Sequence, residues 1–137
     1  MSAFGQFTTQ LCNEEYLVEA LRNMGFNPEV HVEPQNLHGY RGDVRADKAH
    51  IIIRRDQLSS ASNDLGFVRG ADGRYTAIIS DYDTGAGFGE AWMKQLNQNY
   101  CACKTTAVAM QKGYRLLGRE EVKTEQGTRI RLQFTTA

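Results

Sequence analysis

Near the start of the chain Phe4, Phe7 and Thr9 alternate with smaller or polar residues, a period-two pattern that predicts a short strand with one buried face. Asn13 then has the chemistry of a helix N-cap, Glu14 and Glu15 put negative charge in the first turn, and Tyr16, Leu17, Leu21 and Met24 recur at three- and four-residue spacing. This predicts a helix over about 13–24, stopped by Gly25. Val30 and Val32 alternate with His31 and Glu33 between Pro28 and Pro34, the pattern of a short edge strand that Pro34 ends. From Gln35 to Lys48 no period is clear, which predicts a loop with a small hairpin around Gly39 to Gly42.

The β-branched run Ala49 to Arg54 predicts a buried strand, and Ser59 to Asn63 a polar turn. Leu65 to Arg69 and Tyr75 to Ser80 flank Asp72-Gly73, a hairpin signal in which both turn positions tolerate positive φ. Asp81 to Gly89 reads as a glycine-rich loop. Trp92, Met93, Leu96, Tyr100, Ala107 and Met110 then mark a helix from Glu90 to Gly113 with a break near Cys101. Tyr114 to Val122 and Thr128 to Phe134 close the chain as a hairpin turning at Glu125 to Gly127. The order predicts an α+β fold, a largely antiparallel sheet with two main helices on one face, for which a decorated ferredoxin-like arrangement is one solution.

At 137 residues the chain suits one domain, 1–137, with room for a core that needs no disulfide or metal staple. Sixteen basic residues balance sixteen acidic ones, which disfavours nucleic acid as a partner by removing the overall charge that phosphate neutralisation uses. The apolar run at Ala49 to Ile53 is too short to cross a bilayer, and the first residues lack a signal-peptide pattern; with three cysteines in no paired spacing, a reducing, cytoplasmic location and no membrane partner are expected.

The sharpest local signal is Ile78-Ile79-Ser80-Asp81-Tyr82-Asp83-Thr84-Gly85, a strand ending in two carboxylates one residue apart, which in a strand would point the same way. Haloacid-dehalogenase-type phosphotransferases end a similar strand in Asp-x-Asp-x-Thr, with a nucleophilic Asp and a bound magnesium. The likeness is local, and the plainer reading is that the carboxylates solvate a turn and cap the next helix. Gly85, Gly87 and Gly89 could bring backbone N–H groups to a phosphate, but Asp81 and Asp83 beside them would repel an anion unless a cation intervened. His31, His38 and His50, and Cys101 with Cys103, lack the paired spacing of a structural zinc site. No catalytic residue or cofactor is specified. Tyr40, Arg41, Arg45, Arg54, Arg55, Arg69 and Arg74 make the middle of the chain basic and partly aromatic, suited to an acidic protein surface or simply to a solvated sheet edge.

Met1-Ser2-Ala3-Phe4, Gly39-Tyr40-Arg41-Gly42, Ala46 to Arg54, Asn63-Asp64-Leu65-Gly66-Phe67, Ala77 to Asp83 and Trp92 to Tyr100 together, in this order, resemble the domain-of-unknown-function family that includes hypothetical chloroplast reading frame thirty-five, the Ycf35-like proteins. The resemblance covers nearly the whole chain and implies no reaction; Gly85 to Gly89 is richer in glycine than its pattern. Some bacterial relatives are encoded near AAA-type ATPases, which implies an accessory or adaptor role with such an ATPase as partner. Two expectations follow. The first is an adaptor that binds protein through a sheet edge and the Tyr40/Arg41 turn. The alternative is a small divalent-metal-dependent phosphate-binding or phosphotransfer protein using Asp81 and Asp83. A polar site between strand ends becomes credible if Asn63, Asp64, Asp81 and Asp83 converge.

Overall fold

A computed structural model describes residues 2–136. Strand β1 (Phe4–Thr8) leads to helix α1 (Glu14–Asn23), and four strands follow: β2 (Glu29–His38), β3 (Val44–Ile53), β4 (Leu65–Arg69) and β5 (Tyr75–Ser80). A short helix α2 (Asp81–Gly85), the long helix α3 (Glu90–Gln111) and the hairpin β6 (Tyr114–Thr124) and β7 (Gly127–Thr136) complete the chain. The first five strands form one sheet in the order β1-β5-β4-β3-β2, antiparallel throughout. The α+β class and antiparallel sheet are as the sequence predicts. The strand order is not ferredoxin-like, because a split βαβ unit needs parallel neighbours and every neighbour here runs antiparallel.

Helix α1 is built as its sequence dictates. Asn13 Oδ1 accepts from Tyr16 N–H at 3.0 Å, and Leu17, Val18, Ala20 and Leu21 are buried. Gly25, at φ +97°, allows Phe26 N–H to reach back to the Leu21 carbonyl, a Schellman closure that only a residue tolerant of positive φ makes cheaply. Helix α3 runs unbroken through Cys101, correcting the expected break. Both helices cover one sheet face, where Leu17, Leu21, Leu96 and Tyr100 meet Ile51, Ile53, Leu65, Phe67 and Ile79. Tyr100 OH accepts from the Cys12 and Asn13 N–H groups, tying the start of α1 to α3, while burial pushes its own phenol up.

The other sheet face is closed by the chain itself. Pro34 does not end β2; the register steps from Val30↔Ile51 to Gln35↔Ala49, so the proline sits in an irregular edge stretch that needs no ladder donor. The segment read as a loop, 35–48, is instead the second half of β2 and the first half of β3. These fold back across the sheet, burying Leu37 and Ala49 against Ile52 and Ile78, with Phe4 and Val68 beside them. At the far side Arg45 stacks on the Phe4 ring at 4.9 Å and donates to the Ser2 carbonyl at 3.0 Å. Gly66 makes the crossing possible: a Cβ there would lie 2.5 Å from Ala49 Cβ and 3.0 Å from Leu37 Cδ2.

Both tight turns of this sheet use one loop form. Gly39 N–H donates to Asp43 O and Gly42 N–H to Gly39 O; Gly70 and Gly73 repeat this with Arg74, with Gly42 and Gly73 at φ +79° and +84°. Asp72 keeps negative φ, so the Asp-Gly pair marks a hairpin but not the turn with two positive angles that its composition suggested.

His50, on β3 across from the irregular stretch of β2, accepts through Nδ1 from Arg69 N–H at 3.1 Å. Burial, followed by the Arg69 charge, lowers the His50 pKa from its ordinary value. The folded state therefore favours neutral imidazole, and the stability this confers is complete above about pH 6.5 and is lost as pH falls through the lower, folded value. On lowering the pH from about 7 to about 5.5 the urea midpoint falls, and His50→Asn, which keeps an acceptor without a titrating group, shows a smaller fall. An identical pH dependence in H50N and parent would remove His50 from this role.

The hairpin β6–β7 packs on α3 from outside the main core, with Arg119 Nη2 donating to buried Asn99 Oδ1 at 2.7 Å. None of its described residues is fully buried. No helix of the described residues is long and apolar enough to cross a membrane.

Candidate functional site

The loop before β4 and the end of β5 bring together the buried polar side chains Asn63, Asp64, Ser80 and Asp83. Ser80 is the N-cap of α2, accepting from Asp83 N–H at 3.1 Å, and its hydroxyl donates to Asp83 Oδ2 at 2.6 Å. Asn63 adds a backbone N–H to Asp83 Oδ2 at 3.0 Å and a side-chain N–H to Ser80 Oγ at 2.9 Å. Its remaining oxygen accepts from Tyr40 N–H at 3.0 Å. The chain Asp83–Ser80–Asn63–Tyr40 thus runs from the core to the tip of the β2–β3 hairpin.

Asp64 is the second anchor. Its Oδ1 accepts from Arg55 N–H at 2.7 Å; its Oδ2 accepts from His38 N–H at 2.7 Å and Arg54 Nη1 at 2.8 Å. Asp64 N–H returns a bond to the His38 carbonyl at 2.9 Å. Arg54 also forks onto Glu29 with 2.9 and 3.0 Å contacts and reaches the Asn36 carbonyl. The Arg54 hydrogen bond holds the Glu29 carboxyl below its ordinary value against an opposing burial effect, and Glu29 in turn raises Arg54.

Asp81 does not join this cluster. Residues 81–85 form a helix and not a glycine loop, so side chains two apart diverge by roughly 200°. Asp83 points inward with no exposed surface, while Asp81 is exposed. The shared cation expected of a strand-end Asp-x-Asp pair has no geometry here, and the antiparallel sheet departs equally from the dehalogenase-type arrangement. Asp83 Oδ1 and Thr84 Oγ1 are buried without a partner among the described residues, but both are sealed from solvent. The glycines of 85–89 serve local geometry: Gly87 takes φ +116°, and a Cβ on Gly89 would lie 3.0 Å from the Thr84 carbonyl. Among the described residues no group of three or more His, Cys, Asp or Glu is placed to hold a metal ion. His31 pairs with Glu29, His38 lies 4.0 Å from Asp64, and His50 accepts from Arg69 N–H. Burial pushes the Cys103 thiol up to about 11, which leaves it protonated and unreactive at neutral pH.

At the outer end of the cluster lies the tip itself. Asp43 folds its carboxylate over Gly39, and the Arg41 guanidinium lies 5.2 Å from the centre of the Tyr40 ring. Arg41 is exposed and Tyr40 partly so.

The family model described as protein of unknown function (DUF1257) matches residues 20–132. The chain belongs to this family. The DUF1257 segment contains the whole polar cluster and the Tyr40/Arg41 tip, whereas β1 and the first half of α1 lie outside it. Neither a curated protein nor a solved structure matches the chain. Of the residues singled out in the sequence, Asn63, Asp64, Asp83, Tyr40 and Arg41 lie along this network and Asp81 does not; Ser80, Arg54 and Glu29 join it without having been assigned to it. For Ser80 the signal was present: Ser80-x-x-Asp83 is a capping-box spacing. Arg54 carries no local sign that sets it apart from Arg55.

Proposed function

We propose that this DUF1257 chain is a non-catalytic accessory or adaptor subunit that contacts a protein partner through the Tyr40/Arg41 tip. One observation carries the reading. The buried groups that looked like candidate chemistry spend their hydrogen bonds on positioning that tip, through Asn63 to Tyr40 N–H and through Asp64 to His38 N–H. Tyr and Arg are among the side chains enriched at the anchoring points of protein interfaces, and here an exposed Arg41 lies against the Tyr40 ring. Membership of the Ycf35-like branch, an AAA-type ATPase as the partner and a cytoplasmic location belong to the same proposal; the first two rest on the resemblance of the motifs, the third on three free thiols. The metal-dependent phosphate reading is not carried forward, because Asp81 and Asp83 point apart.

Native mass spectrometry of the tagged chain, gently isolated from its own cells, tests this. The parent is expected to carry a stoichiometric protein partner, and Arg41→Glu to weaken that complex by about tenfold or more while the thermal midpoint stays within about 2 °C of the parent. A complex indifferent to R41E, or a bare chain carrying a stoichiometric small ligand, would overturn the proposal.

A further inference from the structure

The two edges of the five-stranded sheet are unlike. The β2 edge carries Glu29, Glu33 and Pro34 and a broken register, the devices by which a sheet discourages further pairing. The β1 edge carries none of them. Residues 2–13 contain no charged side chain and no proline, and β1 pairs with β5 through five consecutive residues without a shift.

The register also fixes which backbone groups β1 leaves over. Asp81 N–H donates to Ala3 O, so Phe4↔Ser80 is a wide pair, and the groups of Gly5 and Phe7 exchange with β5. The N–H and C=O groups of Phe4, Gln6 and Thr8 therefore face outward, unpaired among the described residues. We infer that β1 pairs antiparallel with β1 of a second copy of this chain, about a two-fold axis at Gln6, joining two five-stranded sheets into one.

The sequence of the strand is complementary to itself in that register and in no charged sense opposed to itself. With Gln6 opposite the partner's Gln6, Phe4 faces the partner's Thr8 and Thr8 the partner's Phe4, and each of these facing pairs exchanges two backbone hydrogen bonds. All outward groups of the strand are then satisfied. On the helix side Gly5 falls opposite the partner's Phe7, so the two Phe7 rings, each lying over its own Gly5, flank the axis. Phe7 is 39% exposed in the single chain, its ring 3.4 Å from where a Gly5 Cβ would stand. Beside it a hollow of about 330 Å³ opens between Phe7, Ile79, Phe88 and Met93, with Glu90 its only charged wall. The register delivers the partner's Phe7 to this apolar side of the sheet. What favours a second copy is self-complementarity: the two-fold register at Gln6 consumes every free group of the edge with no like charges facing each other, and the matching strand is carried by the chain itself.

The pairing requires only the chain itself and so stands or falls apart from the adaptor reading. The test is light scattering of the pure chain over a range of concentrations, with amide hydrogen exchange read residue by residue. The parent is expected to dimerise with rising concentration, and the Gln6 and Thr8 amides to gain protection in step with it, while the Gly5 and Phe7 amides, bonded to β5, stay protected throughout. Gln6→Lys, which sets two ammonium groups face to face at the axis, is expected to yield a monomer with free exchange at Thr8 and unchanged protection at Gly5 and Phe7, showing that the fold survives. A parent that stays monomeric, a dimer indifferent to Q6K, protection of Gln6 and Thr8 that ignores concentration, or a β1 edge taken only by a different protein would each overturn the inference.

Discussion

Replacing Asp64 with alanine is expected to lower the free energy of unfolding by about 3–5 kcal/mol, the range found when one member of a buried, hydrogen-bonded charge pair is removed. The carboxylate is fully buried and accepts from three donors on two segments: His38 N–H at the end of β2 and, just after β3, the Arg54 guanidinium and Arg55 N–H. Alanine orphans both backbone donors. It also leaves Arg54 held by Glu29, which is partly exposed and offers a weaker, solvent-screened partner. Asp64→Asn retains one acceptor oxygen and loses less. Urea denaturation of the parent, D64A and D64N gives the comparison; a loss under about 1 kcal/mol in D64A would show that the clamp is dispensable.

The second large effect is expected at Gly66. A Cβ added there meets Ala49 Cβ at 2.5 Å, an atom fixed to its own backbone that no rotamer change can move. Gly66→Ala is therefore expected to cost about 1–3 kcal/mol by prising the folded-back half of the β2–β3 hairpin off the sheet. The partner substitution decides the cause. Ala49→Gly alone removes a buried methyl and adds chain entropy, so it also destabilises. Combined, the two changes exchange which strand carries the methyl group, and the double variant is expected to recover stability relative to G66A, with a coupling of about 1–3 kcal/mol in a double-mutant cycle. Strictly additive losses would mean that the crossing does not depend on this contact.

The parts of the fold legible in the sequence are those set by neighbours along the chain. Asn13, the apolar stripe of α1 and Gly25 fix a helix locally, and the structure follows them residue for residue. The Asp72-Gly73 and Gly39 to Gly42 turns were equally visible. What stayed hidden depends on contacts across the sequence. Ile51, Ile52 and Ile53 are all buried because the sheet is covered on both faces, yet a run of isoleucines does not say that one cover is the chain's own hairpin. The absence of period in 35–48 reflects the turn at 39–43 and the register shifts of β2, which break the alternation of the strands on either side. The divergence of Asp81 and Asp83 was hidden for a related reason. Asp81 and Asp83 look equivalent in a strand, but Ser80 starts a helix, and about half a turn separates a sealed carboxylate from a solvated one.

The clamp described above also makes the tip depend on distant segments. Tyr40 is held by Asn63, Asn63 by Asp83 and Ser80, and Arg45 by the main chain at Ser2, separations of 17 to 43 residues along the sequence. Bonds across this separation carry a loop-closure cost and need both segments present. The turn at 39–43 closes on itself, but the contacts that fix Tyr40 and Arg45 in place need Ser2, Asn63, Ser80 and Asp83, so a chain lacking these segments has the turn without its anchors. A partner that recognises the tip reads, in one contact, whether the rest of the sheet is finished.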